Sequence, residues 1–321
     1  MERTYAEYAA RQAMELLAID SPTGFTARAA DWVQRAFEEL GYTARRTAKG
    51  GVLVDLGGRG DGLLLEGTFQ LCNASVHVNG QYGDTKRTFD SCEVVLDEDV
   101  KSAEETRTLG VEVGDVVCFE PRPRLTASGY IKSRFLDDKL SVGILLGLAK
   151  YLKDTGTVPQ RHVYLHVTVY EEVGHGGAAN VPQGVTEAIS VDMGCVGDDL
   201  NGDEYRVSIC AKDSRGPYDF DMTNRLIGLA KEYGIGYTVD VFPHYGSDVS
   251  AALAGGNNIR GALIGQGVSA SHGQERTHVK GLMETFKLAA AYAGLLNKEE
   301  AETVFADFKG VQALDSEKSG R

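Results

Sequence analysis

Four places in the chain put metal-binding or proton-transferring side chains where a strand or a loop ends. They are Asp137-Asp138 ahead of a helical pattern, Glu171-Glu172 after one apolar run, Asp192 after another, and His272 within Ser271-His272-Gly273. Each has an ordinary structural explanation taken singly. Asp137 reads as a helix N-cap, Glu171 and Glu172 as solvated acids, Asp192 as a turn residue, and His272 as a loop histidine like His162, His244 and His278. His166 alternates with Val163, Leu165 and Val167 and reads as a face residue, while His175 stands near enough to the Glu pair to touch a ligand side chain or a substrate. Taken together, three carboxylates and an imidazole are the donor set of a divalent ion such as Zn²⁺, Co²⁺ or Mn²⁺. One carboxylate can offer an oxygen to each of two ions about 3.5–4 Å apart. Of two adjacent glutamates, one can ligate while its neighbour takes a proton from metal-activated water. Asp137, Glu171, Glu172 and Asp192 bring four negative charges, which two divalent ions neutralise and one does not.

The rest of the chain must fold so that these groups meet, and its composition permits that. It has 321 residues, 33 Lys and Arg against 46 Asp and Glu, a formal net charge of −13, and 42% hydrophobic residues. That balance is too apolar for disorder, and the length suits more than one structural unit. The acidic surplus argues against a nucleic-acid partner. Apolar runs such as Ile144-Leu145-Leu146 fall far short of a membrane span, and Met1-Glu2-Arg3-Thr4 opens no secretory leader. Cys72, Cys92, Cys118, Cys195 and Cys210 are odd in number and contain no C-x-x-C. A disulfide framework and a zinc finger are thereby excluded, and a reducing cytoplasm is expected.

Helical spacing of Tyr5, Tyr8, Ala9, Ala13, Leu16 and Leu17 predicts a helix over residues 4–19. Asp20-Ser21-Pro22-Thr23 stops it and caps a second over 26–40, whose buried stripe is Trp32, Ala36, Phe37 and Leu40. Residues 52–56 and 62–65 read as strands about a turn from Gly57 to Gly62, whose glycines and Arg59-Gly60-Asp61 are weak motifs because no helix follows. Over residues 67–127 the pattern changes to short strands (75–78, 93–97 and 115–119), which predicts a small inserted β-rich domain of the barrel or half-barrel kind. From Tyr130 onward, helices over 139–152, 222–233, 247–254 and 278–296 alternate with strands over 162–169, 188–192, 205–211, 237–242 and 261–264. This predicts an α/β fold with a mixed, largely parallel sheet flanked by helices. The expected division is 1–66 with 128–310 as the catalytic domain, 67–127 as the insert and 311–321 as a flexible tail.

Five segments stand in one order: Ile131-Lys132-Ser133-Arg134-Phe135-Leu136-Asp137-Asp138-Lys139, Tyr170-Glu171-Glu172-Val173-Gly174, Ser190-Val191-Asp192, Tyr245-Gly246-Ser247-Asp248 and Ala270-Ser271-His272-Gly273. With them the chain resembles the dinuclear-metal aminopeptidases of the glutamyl aminopeptidase/tetrahedral aminopeptidase family. The match spans nearly the whole chain. Ser75-Val76-His77-Val78 and residues 107–119 are similar to that family's dimerisation domain. The resemblance implies a zinc-peptidase-like catalytic domain with Asp137 as bridging ligand, Glu172 and His272 on one metal, Asp192 on the other and Glu171 as general base. It implies a cis, non-proline bond between Asp137 and Asp138. Asp138, His175, Ser247 and Asp248 follow as lesser candidates that support ligands or touch substrate. Also implied are two divalent cations (Zn²⁺ or Co²⁺), short peptide substrates, and a homo-oligomer built from dimers up to a dodecamer.

The chain departs from the family after the strand over 62–65, where a His-x-Asp motif supplies an imidazole to the metal shared by Asp137 and Asp192. Here it reads Leu65-Glu66-Gly67-Thr68-Phe69-Gln70-Leu71, and no His-x-Asp occurs elsewhere. Thr68 and Gln70 would be the substituted positions, but residues 67–78 read like later insert sequence, so a deletion is preferred, with Glu66 the nearest substitute. Losing an imidazole and its orienting acid weakens that metal, and a single bound ion is the expectation that follows. The expected activity is removal of N-terminal residues from peptides by metal-activated water, with Glu171 passing the proton to the leaving amine. The alternatives are an impaired or truncated homologue holding at most one ion, and a dinuclear amidase or deacylase acting on another substrate. Lys212, Arg215 and Arg276 are candidates for reading an acidic substrate side chain, with plain surface placement the simpler account of each.

Overall fold

The structure, a computed structural model, describes residues 5–53, 67–159 and 161–296. In chain order its elements are α1 (Tyr5–Leu17), α2 (Ala27–Glu39), β1 (Arg45–Arg46), β2 (Val52–Leu53), β3 (Gly67–Leu71), β4 (Cys92–Leu96), α3 (Ala103–Thr108), β5 (Arg124–Leu125), β6 (Tyr130–Ser133) and α4 (Leu136–Thr155). There follow β7 (His166–Val167), β8 (Glu187–Cys195), β9 (Val207–Asp213), β10 (Gly216–Pro217), α5 (Phe220–Glu232), β11 (Tyr237–Val241), α6 (Asp248–Ala254), β12 (Arg260–Val268), β13 (Glu275–His278) and α7 (Val279–Tyr292). They fall into two units, Met1–Gly58 with Cys118–Arg321, and Arg59–Val117.

In the larger unit, α1 buries Tyr8, Ala9, Ala13, Leu16 and Leu17, the stripe its spacing predicts. It crosses α4 where Gly143 and Gly147 stand one turn apart. A Cβ on Gly143 would lie 2.7 Å from the Ala9 carbonyl oxygen, so only glycine admits this approach. The central sheet has the order β10-β9-β12-β8, with β11 also paired to β9. Its two longest ladders, β8 with β12 and β9 with β11, are parallel, and β9 meets β12 and β10 antiparallel. Alternation along the strands divides the core. Val207, Ile209, Ala262 and Ile264 pack with α4, α5 and α7, while Cys210 and Leu263 pack with Val249 of α6. Two smaller sheets, β1-β2-β7 and β13-β6-β5, complete this unit. Among the described residues no helix is long and apolar enough to cross a membrane.

Several local expectations change. The strand expected over 162–169 is hydrogen-bonded only at His166–Val167. The strands expected to end at 192 and 264 run on to Cys195 and Val268. Glycines that look like breakers extend them instead, because Gly265 and Gly267 let neighbouring backbone come close: a Cβ on either would stand 1.9 Å from a carbonyl oxygen. Helix α2 starts after Thr26 without a side-chain cap, rather than from the residues at 20–23. In the unit Arg59–Val117, residues 75–78 form turns and 115–117 are irregular, as are 118 and 119 beyond it, so neither stretch is a strand. Its described part holds one two-stranded antiparallel sheet, β3 with β4, and the six-residue α3 capped by Ser102. Thr68 and Gln70 lie in β3 opposite Val95 and Glu93. The expected turn from Gly57 to Gly62, the strand over 62–65, Glu66 and the tail lie outside the described residues.

Candidate metal centre

Three loops and strand β8 carry the acids and the imidazole. After β6 the chain turns through Phe135, whose φ of 65° is left-handed, into α4. Asp137 (φ −76°, ψ 104°) and Asp138 (φ −125°, ψ 36°) are not helical, and the peptide bond between them is cis, as the resemblance implies. Asp137 is therefore no helix cap. Phe135 occupies the N-cap position, and no side chain caps that end. Glu171–Val173 form a single 3₁₀ turn, entered through Tyr170 at φ 65° and left through Gly174 at φ 79°. Asp192 lies inside β8 rather than at its end, 7% exposed, with Oδ1 accepting the Met193 N–H at 2.6 Å. His272 sits at φ 61° in the tight loop between β12 and β13.

These loops and β8 bring the donors into two triplets. Ligand atoms of Asp137, Glu172 and His272 lie within 4.8 Å of one another, and so do those of Asp137, Asp138 and Asp192. His272 Nε2 is 3.4 Å from Asp137 Oδ2 and 3.7 Å from Glu172 Oε2. Asp137 belongs to both groups. Glu171, on the same turn as Glu172, belongs to neither. Of the lesser candidates, Asp138 joins the second triplet. Asp248 stands behind the glutamate turn, where its carboxylate accepts the Thr168 hydroxyl and, at 2.5 Å, the Gly177 N–H. Ser247 and His175 join no triplet. Ser247 caps α6 and hydrogen-bonds the Tyr218 hydroxyl at 2.8 Å. His175 stacks on the Tyr170 ring with centroids 5.2 Å apart and meets Lys49 Nζ at 3.1 Å.

Among the three basic candidates, Arg276 is held by Glu204 through bonds of 2.7 and 3.0 Å, and Lys212 donates to the Asp213 carbonyl at 3.3 Å. Arg215 is the one that reaches the glutamate turn: a Cβ on Gly174 would lie 3.7 Å from its Nη2.

Sequence reasoning missed Glu275. It is 1% exposed, on β13 opposite Ser133 of β6. Its Oε2 accepts the N–H of Asp137 at 3.2 Å and that of Leu136, while Oε1 accepts the His272 N–H at 2.9 Å. One carboxylate thus ties together the two loops that present Asp137 and His272. The only trace in the sequence is an acid three residues after His272, alternating with buried Thr277.

Burial, then Asp192 and Asp137, pushes the Asp138 carboxyl well above its ordinary range; burial, then Asp137 and Glu171, does the same for Asp192. Glu171 is raised to about 8 by burial and by Asp248, Glu172 and Asp137, and Glu172 is raised by burial and Asp137. Burial lifts Glu275 to about 7 against the pull of its N–H donors. His272 goes up to about 9, chiefly through its hydrogen bond to Asp137. Asp138 Oδ1 is shut off from solvent and has no hydrogen-bond partner among the described residues. A divalent cation fits this set: oxygen and imidazole donors converge, one buried oxygen is orphaned, and the acids disfavour one another's charge.

The chain is similar to known proteins in sequence and in fold. The sequence pattern described as M42 glutamyl aminopeptidase matches residues 36–288. A relative from Bacillus subtilis (strain 168), named "Putative aminopeptidase YhfE", is 35% identical over 328 residues, spanning 87% of this chain and 95% of its own. Among solved structures, aminopeptidase APDkam598 from the archaeon Desulfurococcus kamchatkensis aligns with TM-score 0.74 at 18% identity, over 95% of this chain and 99% of that one. The TET1 peptidase of Pyrococcus horikoshii, which can assemble into a tetrahedron or a large octahedral shell, aligns with TM-score 0.69 at 19% identity, over 89% and 99%. Both share the mixed α/β fold.

Proposed function

This chain belongs to the M42 glutamyl aminopeptidase family and is a metal-dependent aminopeptidase, and on that premise we propose that Asp137, Glu172 and His272 hold one divalent cation, that Asp137 and Asp192 share in a second, and that Glu171 carries the proton. The reading rests on one observation, the convergence of donors from three loops and strand β8 into two triplets that have Asp137 in common. Divalent cations bound there supply Lewis acidity toward the first peptide carbonyl of a short peptide and toward water. The imidazole in the first triplet suits Zn²⁺ or Co²⁺. Glu171 shares a turn with Glu172 but stands outside both triplets, which leaves its carboxylate to take a proton from water and pass it to the departing amine. Asp248 pins that turn from behind through Thr168 and Gly177.

Glu171→Gln removes the proton carrier and keeps the shape. Turnover of amino-acid anilides should fall by about 10²–10⁴, while bound metal, measured by elemental analysis, stays at the wild-type level. Undiminished turnover would remove Glu171 from the role. Anilides carrying a free amine should be cleaved in preference to N-acylated ones, which separates an aminopeptidase from a deacylase.

Association into a homo-oligomer, dimeric at its base and up to a dodecamer, is part of the same reading. It is supported by Phe89, Val94 and Val95, which the unit Arg59–Val117 leaves exposed around a two-stranded sheet. A two-stranded sheet buries little apolar surface, and a second copy would cover these side chains. Five unpaired cysteines suit a reducing cytoplasm.

A further inference from the structure

We propose that the second cation is held by oxygen alone, with the Asp138 carboxylate as its third ligand beside Asp137 and Asp192, so that this position selects a hard ion such as Mn²⁺ or Mg²⁺. The inference rests on the reading that two ions share Asp137, and it assigns to Asp138 a role that a lesser supporting residue would not have.

Three observations carry it. Asp137, Asp138 and Asp192 each bring a carboxylate oxygen within 4.8 Å of the others, and among the described residues no imidazole or thiolate belongs to this triplet; His272 serves the other one. Second, Asp138 Oδ1 is closed to solvent and has no hydrogen-bond partner among the described residues. A carboxylate oxygen left without a donor beside two more carboxylates is costly, and a purely structural role would require an N–H or O–H aimed at it. The Ser141 hydroxyl, which lies against the Asp138 carboxyl and also donates to the Asp192 carbonyl at 3.2 Å, still leaves Oδ1 without a donor. A cation satisfies the orphaned oxygen and offsets the repulsion together. Third, the charges balance. Asp137, Asp138, Asp192 and Glu172 are four carboxylates in the two triplets, and two divalent ions neutralise them. Carboxylate-only sites suit Mg²⁺, Ca²⁺ and Mn²⁺, whereas imidazole-containing sites suit Zn²⁺. The two halves of the centre therefore differ in preference.

The test counts ions on the full-length protein stripped with a chelator and dialysed against Mn²⁺, with bound and free ion separated by electron paramagnetic resonance. Wild type is expected to hold two Mn²⁺ per chain and Asp138→Asn one, with far-UV circular dichroism checking that the variant is folded. A large excess of Mg²⁺ is expected to release one of the two Mn²⁺ from wild type and to leave the other. If Asp138→Asn does not fold, this displacement decides alone: release of neither ion, or of both, overturns the proposal. Wild type with two ions and a folded Asp138→Asn that also holds two overturns the role of Asp138 and leaves the dinuclear reading standing. Wild type with fewer than two overturns that reading and the inference with it.

Discussion

Glu275 does with one carboxylate what two separate side chains would otherwise have to do. Its oxygens take N–H donors from the Asp137 loop on one side and from the His272 loop on the other. Glutamine at 275 keeps one acceptor and turns an amide N–H₂ toward the other donor. Cation affinity should weaken about 10–100-fold, as when partners that orient ligands are lost, and stability should fall by about 1–3 kcal/mol. Metal titration and thermal melting of the same samples measure both; unchanged affinity would show that the loops keep their spacing without it. A second buried residue, His278, sets an acid sensitivity. Its Nδ1 accepts the Lys280 N–H at 3.0 Å and its Nε2 faces the Ser128 carbonyl at 2.9 Å, a pair of partners that a neutral ring satisfies. Burial lowers its pKa below 6.5. Because the folded value lies below the unfolded one, the unfolded chain takes up the proton first. The stability contribution is complete above about pH 6.5 and is lost as pH falls toward the folded pKa. His278→Asn keeps a capping acceptor and no titration, so its melting temperature should drop less than that of wild type between about pH 7.5 and 5.5.

Strand β12 shows how an element places a residue it does not carry. It pairs in parallel with β8 from Arg260 opposite Glu187 to Val268 opposite Cys195, so Gly265 lies opposite Asp192. A Cβ on Gly265 would stand 1.9 Å from the Asp192 carbonyl oxygen, and the obstacle is backbone that cannot swing aside. Gly265→Ala should destabilise by about 1–3 kcal/mol or more and displace Asp192, which a cation titration would detect. The contrasting substitution is Gly228→Ala on α5, where an added Cβ meets nothing within 4 Å. There the better helix propensity should stabilise by up to about 1 kcal/mol. Equal effects at the two positions would contradict the packing argument. The long helices were legible because residues three and four apart share a face. The strands that hold the site loops, β6 and β13, have four residues each and show no period to read. They exist by pairing with each other, Glu275 opposite Ser133 and His278 opposite Tyr130.

For the whole molecule, association is the property most open to measurement. Phe89 is fully exposed, so an acid in its place costs the fold nothing. Phe89→Asp should shift light scattering toward smaller species while the cleavage of small anilides per chain is retained; an unchanged mass distribution would take Phe89 out of the interface. The amino-acid order by itself determined the donor types, the adjacency of Glu171 to Glu172, and the helices that form the walls. Such features depend on residue chemistry and on neighbours within a turn or two. Only the tertiary structure decided that Asp137 faces both Glu172 and Asp192, that Asp138 buries an oxygen with no partner among the described residues, and that Glu275 ties two distant loops. Those relations come from sheet order and from the close crossing of α1 and α4, contacts between residues far apart along the chain that no local pattern encodes.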